Sequence, residues 1–128
     1  MIYDDEDVKY EFKIILVGES GVGKTCIIKY FINNAFKQNE TLSISCEYYK
    51  KVMELNELEG TKILFKIWDT VGQERYRSVS KLFYKNAKAA IFVYDITNKD
   101  SFQKIKDFWY DQLSEFSPNN KNLFYFNY

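Results

Sequence analysis

Phe12-Lys-Ile-Ile-Leu-Val17 runs directly into Gly18-Glu19-Ser20-Gly21-Val22-Gly23-Lys24-Thr25, and Cys26-Ile-Ile-Lys-Tyr-Phe31 follows at once. The first piece is a short apolar run ending in glycine, the pattern of a strand buried on both faces of a parallel sheet. The last piece places Cys26, Ile27, Tyr30 and Phe31 at helical spacing, which predicts a helix from Lys24 to Asn33. Between them stands G-x-x-x-x-G-K-[ST] without deviation, in the strand–loop–helix setting that gives the pattern its meaning. Its glycines let the backbone curl so that N–H groups point inward at a β-phosphate. The following helix adds its positive N-terminal end. Lys24 can reach β- and γ-phosphate oxygens, and Thr25 offers a hydroxyl to Mg²⁺. The stretch predicts a bound nucleoside triphosphate with magnesium. Alone it separates neither ATP from GTP nor hydrolase from kinase.

Outward from the loop, strands and helices alternate. Glu47 to Leu55 and Lys62 to Asp69 read as strands, joined through Asn56 to Thr61. A short helix is expected through Leu82 to Asn86, and Ala89 to Asp95 reads as a further buried strand. Asp100-Ser101 can cap a helix that runs through Phe116, with Phe102, Ile105, Phe108, Trp109 and Leu113 on one apolar stripe. Leu123 to Tyr128 reads as a last strand. The alternation predicts an α/β fold with a mostly parallel sheet flanked by helices. Ligands of such sheets sit beyond the carboxyl ends of the strands. The loops after Val17, Asp69 and Asp95 all fall there.

The 128 residues suffice for one domain with a core, and a 46% hydrophobic, 19% aromatic composition excludes a disordered chain. Eighteen basic residues balance eighteen acidic ones, which gives no bulk attraction for nucleic acid or an anionic membrane. With no histidine, His-based acid–base catalysis, a Ser-His-Asp triad and His-ligated zinc are excluded. Cys26 and Cys46 form no CxxC and are expected to be reduced, buried thiols of a cytoplasmic protein. No apolar run approaches the ~18 residues that span a bilayer. Asp4-Asp5-Glu6-Asp7 opposes a signal peptide, so residues 1–9 are expected to be an acidic tail before a domain at 10–128.

A second constellation narrows the chemistry. Ile67-Trp68-Asp69-Thr70-Val71-Gly72-Gln73-Glu74 puts an aspartate at a strand end, then a glycine and a glutamine. A carboxylate there can hold Mg²⁺ through its water shell. The glycine can bring a backbone N–H to the γ-phosphate, and the glutamine can orient the attacking water.

With both constellations in place, the chain resembles small GTPases of the Ras superfamily, most closely the Rab branch. Gly-Glu-Ser-Gly-Val-Gly-Lys-Thr-Cys-Ile-Ile-Lys-Tyr-Phe looks like the Rab phosphate loop and first helix. The stretch from Trp68 to Phe102 looks like the Rab segment from the magnesium aspartate through the fourth strand. Its wording, with the later Ser117-Pro118-Asn119, leans toward the endocytic, Rab-five-like group. The resemblance covers residues 10 to 127 and implies a P-loop NTPase G domain. It implies GTP as substrate, Mg²⁺ as cofactor, slow intrinsic hydrolysis and a role in vesicle transport. Effectors, an exchange factor and a GTPase-activating protein would be its partners, with the chain itself a monomer at an endomembrane surface. Carried over by position, Glu19, Ser20, Gly21, Val22, Gly23, Lys24, Thr25, Cys26, Gly72 and Asn127 would contact nucleotide. Thr25, Ser43 and Asp69 would serve the metal, and Gln73 would position the hydrolytic water. Tyr48, Trp68 and Phe83 would face effectors.

The chain departs from the Rab pattern in several places. Ser43-Ile44-Ser45 stands where Rabs have Thr-Ile-Gly, leaving Ser43 or Thr41 as the switch ligand, with Ser43 favoured. Val71 replaces an alanine, and its β-branch is stiffer beside Gly72. The turn from Asn56 to Gly60 is slightly long. The asparagine of the guanine-reading Asn-Lys-x-Asp falls on Asn127, where Tyr128 replaces the lysine and the sequence stops. The sixth strand, the last two helices and the prenylated cysteines are therefore expected to be missing. A truncated gene model, a fragment and a degenerate member are all open. The second functional reading is a non-catalytic remnant that binds proteins without turnover. A P-loop ATPase or small-molecule kinase is a third, opposed by Asp-Thr-Val-Gly-Gln-Glu.

Overall fold

The computed structural model describes residues 7–33, 47–57, 60–69, 82–116 and 124–127. Strand β1 (Val8–Val17) leads into helix α1 (Lys24–Asn33), then β2 (Glu47–Leu55), β3 (Thr61–Asp69) and β4 (Ala89–Phe92). Three helical pieces follow without a break: α2 (Lys99–Lys104), a π turn (Ile105–Trp109) and α3 (Tyr110–Phe116). Strand β5 (Phe124–Asn127) comes last. The expected α/β architecture is present, as one five-stranded sheet in the order β2-β3-β1-β4-β5. β1 pairs in parallel with both β3 and β4, β4 pairs in parallel with β5, and only β2 runs antiparallel, against β3.

Several element bounds differ from those predicted. β1 begins at Val8 rather than Phe12 because its polar first half still has a partner, with Val8 beside Lys62 and a register shift before Tyr10. There Lys62 reaches Asp7 at 3.0 Å. β4 ends at Phe92, short of Asp95, although the Val93 N–H still donates to the Val17 carbonyl at 2.8 Å. Residues 82–84 are helical, and Asn86 closes that turn with φ 62°, the left-handed conformation that ends helices. The long helix is capped by Asn98, whose side chain accepts from the Asp100 N–H at 3.1 Å. The predicted cap at Asp100-Ser101 is therefore corrected. Ser101 is instead buried, with its hydroxyl bonded to the Asn98 carbonyl at 2.7 Å and accepting from the Asp95 N–H at 2.9 Å.

Alternation along β1 divides the core in two. Ile15 and Val17 face Phe83, Tyr84, Phe92, Ile105, Trp109 and Leu113. Leu16 faces the opposite side with Ile28, Ile67 and Val93. On the first side the helix stripe packs as predicted at Ile105, Trp109 and Leu113. Phe102 is the exception: it lies at the surface, edge-on to Tyr94 at 4.9 Å. On the second side α1 covers only part of the sheet. An apolar groove of about 360 Å³ remains, lined by residues such as Ile14, Phe31, Met53 and Ile91.

The register aligns the strand ends. Leu16 lies beside Asp69, Val17 beside Phe92, and Phe92 beside Asn127. The carboxyl ends of β1, β3, β4 and β5 thus share one edge of the molecule, where the site is built.

Candidate functional site

Gly18 opens the loop after β1, and space decides its identity. A Cβ on it would come within 2.1 Å of the Val93 carbonyl oxygen. Its φ of 151° lies outside the range that side chains favour. Gly23, at φ 106°, has open space around it, so there conformation alone asks for glycine. The loop then enters α1, whose first turn begins at Lys24 and is closed by the Ile27 N–H on the Gly23 carbonyl at 3.0 Å. Ser20 and Gly21 lie exposed at the tip, while Val22 packs back against the sheet.

Lys24 is 4% exposed, and its ammonium donates to the carbonyls of Gly18 and Glu19, both at 2.7 Å. A buried ammonium demands such partners. Here the loop's own carbonyls hold the cation at the centre of the cradle, where a phosphate would meet it. Thr25, next on α1, donates its hydroxyl to the Asp69 carboxylate. Asp69 ends β3 and is fully buried. Residues 44 positions apart thus meet because β3 lies alongside β1 in parallel register.

The donor set of Thr25 and Asp69 is all oxygen, which suits a hard cation. Among the described residues no group of three or more His, Cys, Asp or Glu side chains gathers. Phosphate and water can supply further ligands to such an ion, the manner in which Mg²⁺ is commonly held. The two oxygens of Thr25 and Asp69 fit an Mg²⁺ ion carried with a nucleotide.

Other predicted site residues sort by position. Cys26 is half-buried in the first turn of α1, a correction to the buried thiol expected. Asn127 ends β5 beside Phe92, at the same sheet edge as the loop. Ser43, Thr41, Cys46, Val71, Gly72 and Gln73 lie outside the described residues. Tyr48, Trp68 and Phe83 do form a continuous aromatic row, with ring centroids 5.1 Å apart for the first pair and 6.4 Å for the second. Tyr48 is 40% exposed, but Phe83 is only 5% exposed beneath the row, so it supports the surface and does not face outward as expected.

Three contacts escaped the sequence. Lys13 lays its ammonium 4.7 Å over the Trp68 ring and donates to the Lys85 carbonyl at 2.8 Å, tying β1 to the turn at residues 82–86. The Asp95 carboxylate accepts from the Thr97 hydroxyl at 2.6 Å and the Thr97 N–H at 2.8 Å. Those two bonds hold its pKa below the ordinary aspartate value. Finally, Trp109 donates its indole N–H to the Glu19 carboxylate at 3.1 Å, joining the helix to the phosphate loop. Nothing in the local pattern of either residue announces this pairing across the chain.

Comparison with known proteins agrees with the geometry. The Ras family model matches residues 13–125. The Ras-related protein Rab-19 of Mus musculus is 34% identical over 116 residues, covering 91% of this chain and 52% of that protein. Rab-30 of Homo sapiens is 38% identical over 114 residues, 89% of this chain and 54% of its own length. Rab-26 of Rattus norvegicus is 43% identical over 107 residues, 83% of this chain and 40% of its own length. The chain spans about half the length of the curated relatives it matches. With a phosphate loop between β1 and α1 and a buried aspartate set against its threonine, the chain belongs to the Ras family, among the Rab small GTPases.

Proposed function

We propose that this chain binds GTP with Mg²⁺ and acts as a Rab-type switch that hydrolyses GTP slowly to GDP. The observation that carries the reading is the Thr25–Asp69 contact at the mouth of the loop, with Lys24 buried in its centre. Backbone N–H groups of Glu19 to Cys26 would bind the phosphates. Lys24 would exchange its carbonyl partners for phosphate oxygens. Thr25 and Asp69 would hold the magnesium, with Ser43 as a third oxygen donor, and the magnesium would neutralise charge on the phosphates. Gly72 would meet the γ-phosphate and Gln73 would orient the attacking water. Asn127 would stand next to the base. By family likeness, effectors, an exchange factor and a GTPase-activating protein are the partners, vesicle transport is the process, and the cytoplasmic face of an endomembrane is the place. The exposed ring of Tyr48 over Trp68 supports the second reading, a remnant that binds protein partners without turnover.

Titration of fluorescent GTP against fluorescent ATP, with and without magnesium, separates the two. The switch reading expects tight, magnesium-dependent binding that favours GTP, reduced at least tenfold by Lys24→Ala. Gln73→Leu should keep the binding and lower hydrolysis. Weak binding indifferent to the base and to magnesium would refute the switch reading and leave the protein-binding one.

A further inference from the structure

A carboxylate inside a phosphate-binding loop poses an electrostatic problem. Glu19 is the second residue of that loop, and its own carbonyl holds the Lys24 ammonium. An unrestrained Glu19 side chain would compete with phosphate for that cation and repel the incoming anion. The structure gives the carboxylate another place: it accepts the Trp109 indole N–H at 3.1 Å. Trp109 is 1% exposed, so its N–H has no access to water and would be a costly orphan without this acceptor. The indole is fixed in turn. It lies in the core with Ile15 and Val17, and Phe108 packs edge-on to it at 4.9 Å. Trp109 is also the last residue of the π turn, which the Tyr110 N–H closes on the Ile105 carbonyl. Such turns insert an extra residue into a helix and frequently occur at functional sites.

We infer that Trp109 is a positioning residue for the nucleotide site: its indole N–H draws the Glu19 carboxylate toward the helix and so keeps that negative charge off the phosphates. The inference rests on the proposed nucleotide binding. It assigns Glu19 a role beyond its backbone amide, and it couples the long helix to occupancy of the loop.

The test is a set of nucleotide titrations on the whole chain. Trp109→Phe keeps the ring and removes the donor. It should weaken GTP·Mg²⁺ binding about tenfold at low ionic strength, as expected for one freed charge near the phosphates. The loss should shrink at high salt, where the repulsion is screened. Adding Glu19→Gln to Trp109→Phe should recover most of the affinity, because a neutral amide does not repel phosphate. A purely structural tryptophan would give a loss indifferent to salt and not rescued by Glu19→Gln, and that result would overturn the inference. So would unchanged binding by a folded Trp109→Phe chain. Should that variant not fold, the indole N–H resonance of Trp109 in the wild-type chain answers instead. It should shift when GTP·Mg²⁺ is added, and an unmoved resonance in a chain that binds nucleotide rejects the coupling. A wild-type chain that binds no nucleotide removes the proposed function itself, and the inference with it.

Discussion

Gly18 sits where β1 ends beside Val93, and the Val93 carbonyl leaves no room for a Cβ on it. The Val93 N–H is bonded to Val17 at 2.8 Å, so neither side can retreat without breaking the join between β1 and the chain after β4. Gly18→Ala should therefore cost about 3 kcal/mol of stability, the upper range for overpacking a close-packed site. Urea denaturation checks it, and a loss under about 0.5 kcal/mol would show that the loop can shift aside. Much of this site was legible residue by residue. Gly18 to Thr25 is a contiguous pattern whose chemistry follows from its spacing, and Asp69 stands at the end of an obvious strand. The Glu19–Trp109 pair was not legible, because its partners lie 90 positions apart and meet only through the packing of the helix on the sheet. Phe83 was misplaced for the same reason: an aromatic at a helical turn reads alike whether it points outward or beneath Trp68.

Among the elements, the long helix shows how local signals compete. Asp100 and Ser101 both carry capping side chains, and so does Asn98. Asn98 takes the role because its backbone is extended, at φ −124° and ψ 95°, while the chain after it is already helical. Asn98→Ala should destabilise the protein by about 1 kcal/mol, the usual cost of losing an N-cap. Thermal unfolding reads this as a drop of a few degrees. An unchanged midpoint would mean that the Ser101 hydroxyl, bonded to the Asn98 carbonyl, fixes the turn by itself. The existence of each helix and strand was legible from apolar spacing, and α1 and β2 matched to the residue. The π turn was not, since a stripe at i and i+4 reads as an ordinary helix. The early start of β1 was hidden because Lys9, Tyr10 and Glu11 are exposed and form no apolar run, the segment being held by its pairing with β3.

At the scale of the whole molecule, among the described residues the sheet is held unevenly on its two faces. The face under the long helix is filled, and Leu113, at 0% exposed, lies in its centre. Leu113→Ala should cost about 2–5 kcal/mol through lost burial and the cavity left behind. Calorimetry or urea unfolding should register it well above any surface change, and a loss below about 1 kcal/mol would show that the helix repacks. The opposite face keeps its groove beside α1. The parallel sheet was legible from alternation of strands and helices, whereas the strand order was not, because it depends on which strands β1 chooses as neighbours. That choice bears on how the protein is made. β1 is synthesised well before β3, yet Val8 pairs with Lys62 and Leu16 with Asp69. At ordinary translation rates its partner emerges roughly 3–10 s later. β2 and β3, joined by the few residues 56–60, can close as a hairpin within microseconds of leaving the ribosome. During the wait the apolar stretch Ile14 to Val17 lacks its β3 partner, so the segment that leads into the phosphate loop is an aggregation-prone part of the emerging chain.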